Sequence, residues 1–559
     1  MVLQFMWTAV ILEHHISKGE YDIHEYPFTL HCTRQQREMR TIYLLLTLSV
    51  LPLAEMTAQE EQGMYFYRKE YIPAPLPSFE ESRNDLPAPV WEENPEWVEL
   101  YWKAWEIAFS NLKQPPAGSP LVANWIDEGL SPQIFQWDTH FMAMFGRYAN
   151  HIFPFIESHD NFYARQHSNG MICRILNEAD GVDHHWGLGE NYARTINPPL
   201  FSWAEMEYFR FTKDTARLGD ILEPIERYVA WVEENRKAHG TEHSLYWSNG
   251  QASGMDNTPR DIGRPAPDGD IHSATDAMGW IDMSSQIKMC YDNLAEICTI
   301  LGKERKAEKY RMRANAIAER INCYMWDEES GLYYDVDTAS VRTPWITTAT
   351  FWPMLAGISS PEQTARLVDA IKDETLFWRM LPLPSLAANQ PHYDKCGRYW
   401  RGGVWAPTTY MTVKGLQENG YEELASLIAR RNMITMYKVY ESTGTIWELY
   451  SAEMYMPATD ATGIYMVKPD FVGWSGLIPI SMFIENIIGI RADATANRVI
   501  WRSTSDKRHG IRGLRFGNTT TSLIKDGVNV TVESNRPYTL IINNREYKIA
   551  EGVQSISIE

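Results

Sequence analysis

The chain has 559 residues and 44% hydrophobic content, enough for one large core with a smaller companion domain, or for two to three ordinary domains. Its 72 acidic residues against 52 basic ones give a formal net charge of -20, which repels nucleic-acid phosphates and anionic membrane surfaces and sets nucleic acid aside as a partner. The 21 Trp, 29 Tyr and 19 Phe, many in polar, loop-like surroundings, offer the flat faces that hold sugars and other amphipathic ligands, although core filling accounts for most of them.

Residues 39–58, MRTIYLLLTLSVLPLAEMTA, read as a secretory signal. A basic start at Arg40 precedes an apolar run from Ile42 to Leu53, too short to span a membrane comfortably, and Ala58 stands before the acidic QEEQG. Residues 1–38 then read as an upstream extension of the frame, with Met39 the true start and a mature chain beginning near Gln59. The expected location is periplasmic or secreted, with no stable membrane insertion. No Cys closely follows the apolar run, so a lipid anchor is not indicated. Cys32 would be lost, leaving Cys173, Cys290, Cys298, Cys323 and Cys396, an odd set that cannot be fully paired and contains no zinc-like spacing.

Residues 59–93 form a Pro-rich lead-in, and residues 94–490 a long series of amphipathic helical stretches with few alternating strands. PEWVELYWKAWEIAFSNLK, TARLGDILEPIERYVAWVEENRK, DMSSQIKMCYDNLAEICTILGK, ERKAEKYRMRANAIAERINCYMW and YEELASLIARRNMITMYKVYEST are the clearest. Helices in sequential pairs, with long Trp- and Gly-rich loops at every second connection, predict a mainly α array of helical hairpins. An (α/α)6 toroid and an open solenoid both satisfy that period. Residues 491–559 change to short alternating segments bounded by Gly and Asn, including the hairpin-like IINNREYKI, and read as a small β-sandwich-like domain that packs against the helical one.

Four loop segments concentrate Trp, carboxylate and Arg among Gly and Pro: FQWDTHF (135–141), SGMDNTPR (253–260), GRYWRGGVWAP (397–407) and GTIWELYSAE (444–453). A fifth, FVGWSGLIPI (471–480), opens a late helix. Asp256 reads either as a turn-capping residue before Pro259 or as an acid beside the space left by Ser253 and Gly254, with Arg260 four positions on. Glu448 lies between Trp447 and Tyr450, where desolvation would raise its pKa toward neutrality, or else it is a solvated residue. Asp138 follows Trp137 where an N-cap would also fit. Arg398 and Arg401 could pair with surface acids, while Trp400 and Trp405 enclose Arg401, Gly402 and Gly403, an arrangement closer to a sugar site than to a hydrophobic cluster.

In the same order, SGMDNTPR, GRYWRGGVW, WELYSAE and FVGWSG resemble the motifs of glycoside hydrolase family 63 and its relatives the mannosylglycerate hydrolases, and more distantly the family 37 trehalases, over about residues 120–490. The resemblance implies an (α/α)6 toroid that hydrolyses an α-glycosidic bond with inversion. Asp256 is then the general acid and Glu448 the general base, an assignment that needs two carboxyls about 6.5–9.5 Å apart with room for a water. FQWDTHF resembles the trehalase WDS segment, which makes Trp137 and Asp138 substrate contacts. TINPPLFSW resembles the SQPP segment with Asn197 in place of Gln, and SNG at 168–170 turns Asn169 to the site. Arg260, Trp400, Arg401, Trp405 and Trp474, all within the matching motifs, complete the expected substrate-binding set. His184, His185 and Trp186 read as a subsite wall or as a solvent-exposed turn.

The trehalase RPESY segment and glycine-rich run are missing, as is the N-terminal β-domain of the large family 63 enzymes. The expected substrate is therefore an oligosaccharide or small glycoside. Other readings on the same toroid are an epimerase or lyase using His140, His184 or His185 as base, and a sugar-binding protein without turnover. No cofactor and no catalytic metal are expected. PDGDIH at 267–272 reads as a solvated turn or a structural calcium loop.

Overall fold

The computed structural model describes residues 65–130, 132–184, 196–261 and 278–558, all within the unit Gly63–Glu559. The signal, the 267–272 stretch, His185 and Trp186 lie outside the described residues.

Two kinds of helix follow from two kinds of sequence. Helices α1 (Glu96–Ser110), α4 (Thr215–Asn235), α6 (Glu304–Tyr324), α8 (Pro361–Lys372) and α10 (Glu422–Thr443) bury one face and leave the other polar. In α4 the stripe Leu218, Ile221, Leu222, Ile225, Tyr228, Val229 and Val232 recurs at helical spacing, and Asp214 caps the start by accepting from the Arg217 amide. Ser360 and Gln363 form a reciprocal capping box on α8. By contrast, α2 (Gln136–Gly146), α3 (Phe201–Thr212), α5 (Ile281–Ile300), α7 (Trp352–Leu355), α9 (Ala406–Glu418) and α11 (Ile478–Ile488) are buried on most or all sides. Helix α11 is wound in π fashion, and the Gly489 amide reaches back five residues to Ile484.

The buried helices pack in succession: α2 on α3, α3 on α5, α5 on α7, and α7 on α9. Helix α9 meets the turn Ser475–Leu477 that leads into α11, and this turn and α11 touch α2 again. Half-buried helices flank them, α4 against α3, α6 against α5, and α10 against α9 and α11. Loops joining one pair to the next carry short two-stranded pairings, such as Gln133–Phe135 with Ile175–Asn177.

The C-terminal region is β-rich. One sheet has five strands in the order Ala88–Trp91, His509–Phe516, Thr519–Asp526, Asn529–Ser534, Gly552–Ser557, and the other has four in the order Arg545–Ile549, Tyr538–Ile542, Arg498–Trp501, Ile490–Asp493. IINNREYKI forms a hairpin whose Asn543 and Asn544 both take positive φ, the conformation that a two-residue turn requires. The lead-in is more than a linker, because its Ala88–Trp91 strand pairs with His509–Arg512. Pro89 is tolerated there because the strand lies at the sheet edge. Among the described residues the five cysteines form no disulfide. Among the described residues no helix is long and apolar enough to cross a membrane.

Candidate active site

The Asp256 loop is shaped by its neighbours. Asn249 caps the short helix Gly250–Ser253 by accepting from the Ala252 amide at 2.9 Å, and Gly254 ends it at φ +78°. A β-carbon on Gly254 would lie 2.8 Å from the Trp137 indole, so glycine is required both for the backbone and for the ring beside it. Asn257 fastens the loop to the 397–405 segment: its Oδ1 accepts from the Trp400 amide at 2.8 Å and its Nδ2 donates to the Arg398 carbonyl at 3.1 Å.

The 397–405 segment stacks Trp400 on Trp405, centroids 4.0 Å apart and planes 7° from parallel, with Trp474 tilted against Trp405 at 5.3 Å. Trp474 Nε1 and Ser475 Oγ both donate to the Glu448 carbonyl, at 2.8 and 3.0 Å. The Glu448 carboxylate is 5% exposed and accepts from the Tyr399 hydroxyl at 2.9 Å and from the Lys468 amide at 3.2 Å. Asp138 sits in the first turn of α2 and is not its cap, a place taken by Phe135. Its carboxyl is buried, and among the described residues its Oδ1 has no hydrogen-bond partner.

These pieces enclose one cavity of about 50 Å³ lined by Trp137, Asp138, Asn197, Asp256, Trp400, Trp405 and Trp474, together with Leu130, Phe135, Arg174, Gly254 and Tyr399. Glu448 meets this lining through Tyr399. Burial pushes Glu448 up to about 7; the Lys468 amide and the Tyr399 hydroxyl pull it down, and Asp256 raises it. Asp138 is raised well above the usual carboxylate range, first by burial, then by Glu448 and Asp256, against its own backbone amide and Arg174. Three carboxyls therefore share one electrostatic field.

Other expected contacts lie elsewhere. Arg260 is 1% exposed and locked beneath the loop, its guanidinium bridging Asp282 and Asp335 at 2.6–2.9 Å over the Trp280 ring. Burial opposes its charge, but the two carboxylates outweigh that and raise its pKa. Asn169 is exposed and spends its Oδ1 on the Met171 amide in a local turn. Arg401 is half-buried and donates from Nε to the Asn257 carbonyl at 3.2 Å, bracing the acid loop. Asn197 does both jobs, lining the cavity while its Nδ2 donates to the Ala252 carbonyl at 3.2 Å. His140 is buried in the core against His159, its pKa pushed down by burial, and neither it nor the half-buried His184 lines the cavity. Among the described residues no group of three or more His, Cys, Asp or Glu is arranged to hold a metal.

Sequence reading missed Arg174, Asn257 and Tyr399. Arg174 carried a signal, a charge inside the apolar run MICRIL, whereas Tyr399 and Asn257 sat unremarked inside quoted motifs.

Comparison with known proteins places the chain in a family. The family described as "Mannosylglycerate hydrolase MGH1-like glycoside hydrolase domain" matches residues 131–475, more than half of the chain. An uncharacterized protein of Borreliella burgdorferi is 26% identical over 407 residues, covering 71% of this chain and 81% of that protein. Among solved structures, the GH63 mannosylglycerate hydrolase from Thermus thermophilus in complex with glucose matches 68% of this chain and all of its own, at 18% identity and a TM-score of 0.53. An α-L-rhamnosidase from Dictyoglumus thermophilum matches 84% of this chain and 50% of its own, at 13% identity and a TM-score of 0.54. At such identities the structural likenesses speak for the fold. The chain belongs to the mannosylglycerate hydrolase MGH1-like glycoside hydrolases and is a glycoside hydrolase.

Proposed function

With the chain placed in that family, we propose that it is an inverting glycosidase cleaving an α-glucoside or related α-glycoside, with Asp256 as general acid and Glu448 as general base on a closed (α/α)6 toroid. The return of the last buried helix to the first supports closure. The observation that carries the mechanism is the gathering of Asp256, Asp138 and the Glu448–Tyr399 pair around a cavity walled by four tryptophans, with no histidine among the described residues that line it.

Asp256 donates its proton to the glycosidic oxygen as the bond to the anomeric carbon breaks. Glu448 takes a proton from a water that attacks that carbon from the opposite face, so an α-linked substrate yields a β-anomeric sugar and a free alcohol. Solvent exchange then reprotonates Asp256 and deprotonates Glu448. Glu448 is suited to the step because burial and Asp256 hold its proton affinity near neutrality. The stacked Trp400 and Trp405, with Trp137, supply apolar faces for one sugar ring, and Asp138 and Asn197 supply polar groups for its hydroxyls. That a solved relative is in complex with glucose supports a hexose as the sugar bound. The enzyme would work in the periplasm or outside the cell, a reading that rests on the apolar run of residues 42–53.

An NMR time course on a panel of α-glucosides and α-mannosides tests the reading. The β-anomer appears first, and the α-anomer follows by mutarotation. Initial release of the α-anomer overturns inversion.

A further inference from the structure

Arg398 and Tyr399 are consecutive non-glycine residues with φ of +34° and +62°, a left-handed pair that L-residues avoid. Their surroundings hold them there. The Arg398 amide donates to Thr459 Oγ1 at 3.2 Å and its carbonyl accepts from Asn257; the Tyr399 amide donates to the Thr459 carbonyl at 2.8 Å. The Tyr399 carbonyl accepts from the Gly403 amide and from Trp405 Nε1. An arrangement this constrained needs a reason, and the phenol supplies one by ending on the Glu448 carboxylate.

We propose that Tyr399 is a positioning residue for the water-activating carboxylate: its hydroxyl, 2.9 Å from Glu448 Oε1, fixes the carboxylate plane, and the strained Arg398–Tyr399 backbone puts the hydroxyl there. The inference rests on reading Glu448 as the base. A Glu carboxylate turns easily about its last torsion, so without a fixed donor its lone pairs would sweep a range of directions. Here Oε2 is held by the Lys468 amide and Oε1 by the phenol, and among the described residues Tyr399 is the side chain that donates to it. Two fixed donors leave the other lone pairs pointing one way, which aims a single water; a misplacement of about 1 Å at such a position costs on the order of 100-fold in rate. The charged groups facing Glu448 are Asp256, Asp138 and Lys468, while burial keeps the phenol protonated and therefore a donor.

Tyr399→Phe keeps the ring against Trp405 and removes only the hydroxyl. With 4-nitrophenyl α-glucoside or α-mannoside, kcat is expected to fall about 10–100-fold with KM within about twofold. The acidic limb of kcat moves to higher pH, because the lost donor favoured the ionised carboxylate. In a Glu448→Gln background the same change has no further effect, and Thr459→Val, which removes the hydroxyl under the Arg398 amide, shows the Tyr399→Phe pattern more weakly. A folded Tyr399→Phe with wild-type kcat and an unmoved limb overturns the proposal, as does a raised KM with unchanged kcat. If Glu448→Gln is itself fully active, the base assignment fails instead, so the two failures are separable.

Discussion

Two sets of largely buried carboxyls sit in the helical domain and titrate in opposite directions. Glu205 and Glu207 on α3 are pushed up by burial, yet both end at about 2, because Arg217 and His159 surround the first and Lys414, Arg147 and Arg210 the second. Glu205 takes two hydrogen bonds from Arg217, at 2.6 and 2.8 Å, another from Tyr163 at 3.0 Å, and contacts His159 at 3.2 Å. In the cavity, Glu448 has one phenol and one amide, faces another carboxyl in Asp256, and rises to about 7, and Asp138 is raised in the same field. Desolvation raises the pKa in both sets, and the neighbouring charge decides the sign. The first set is built for permanent ionisation. The second is built to exchange protons, as acid and base catalysis demands.

The sharpest way to break this comparison is to neutralise an acid in the cavity and to remove a counter-charge from the first set. Asp256→Asn and Glu448→Gln should each cost about 10²–10⁴ in kcat while leaving the protein folded. In the wild type, kcat/KM should fall as pH drops below about 7, as the base becomes protonated. Arg217→Met should instead cost about 3–5 kcal/mol of stability, measured by denaturant melts, by stranding Glu205 and Asp160 in the interior. For Glu205 and Glu207 the folded pKa lies below the ordinary value of 4.5, so their stabilisation is present above pH 4.5 and is lost as pH falls toward about 2.

Glu448 carries the opposite sign. Its folded pKa of about 7 exceeds the ordinary value of 4.5, so the native state holds the proton more tightly, and stability declines as pH rises from 4.5 to 7. Glu448→Gln removes that penalty. It should therefore stabilise the protein by up to about 3 kcal/mol at pH 8 and by little at pH 4, with the same melts as the check. An inactive variant that is more stable than wild type at pH 8 would identify strain retained for function.

Much of the helical pattern was legible because one-face burial writes a 3.6-residue period into α1, α4, α6 and α10, whereas α5, read as amphipathic too, is buried on most sides. The strand Ala88–Trp91 was not, since four residues with a proline carry no usable alternation and its partner lies more than 400 residues away. Asp256 could not be separated from a cap locally. What distinguishes it is the Trp137 ring occupying the space beside Gly254, a contact between distant segments. Gly254→Ala is expected to cost about 1–3 kcal/mol and to lower kcat by displacing that ring. Arg260 misled through its closeness to Asp256 in sequence, whereas its partners Asp282 and Asp335 lie far along the chain.

The smallest expected effect is at Asn169, which the motif resemblance placed in the site and the fold places outside it. Ser168, Asn169 and Gly170 form a turn, with Asn169 Oδ1 accepting from the Met171 amide at 3.0 Å and Gly170 packed against the Arg227 carbonyl. A Ser-Asn-Gly sequence is as natural for such a turn as for a sugar contact, because Asn hydrogen-bonds its own backbone two residues on. Asn169→Ala exchanges one exposed hydrogen bond for water, so kcat/KM should stay within about twofold and stability within about 0.5 kcal/mol. A tenfold fall in kcat/KM at unchanged stability would mean that the 167–171 turn moves onto the substrate during turnover, and Asn169 would then join Asn197 as an amide of the working site.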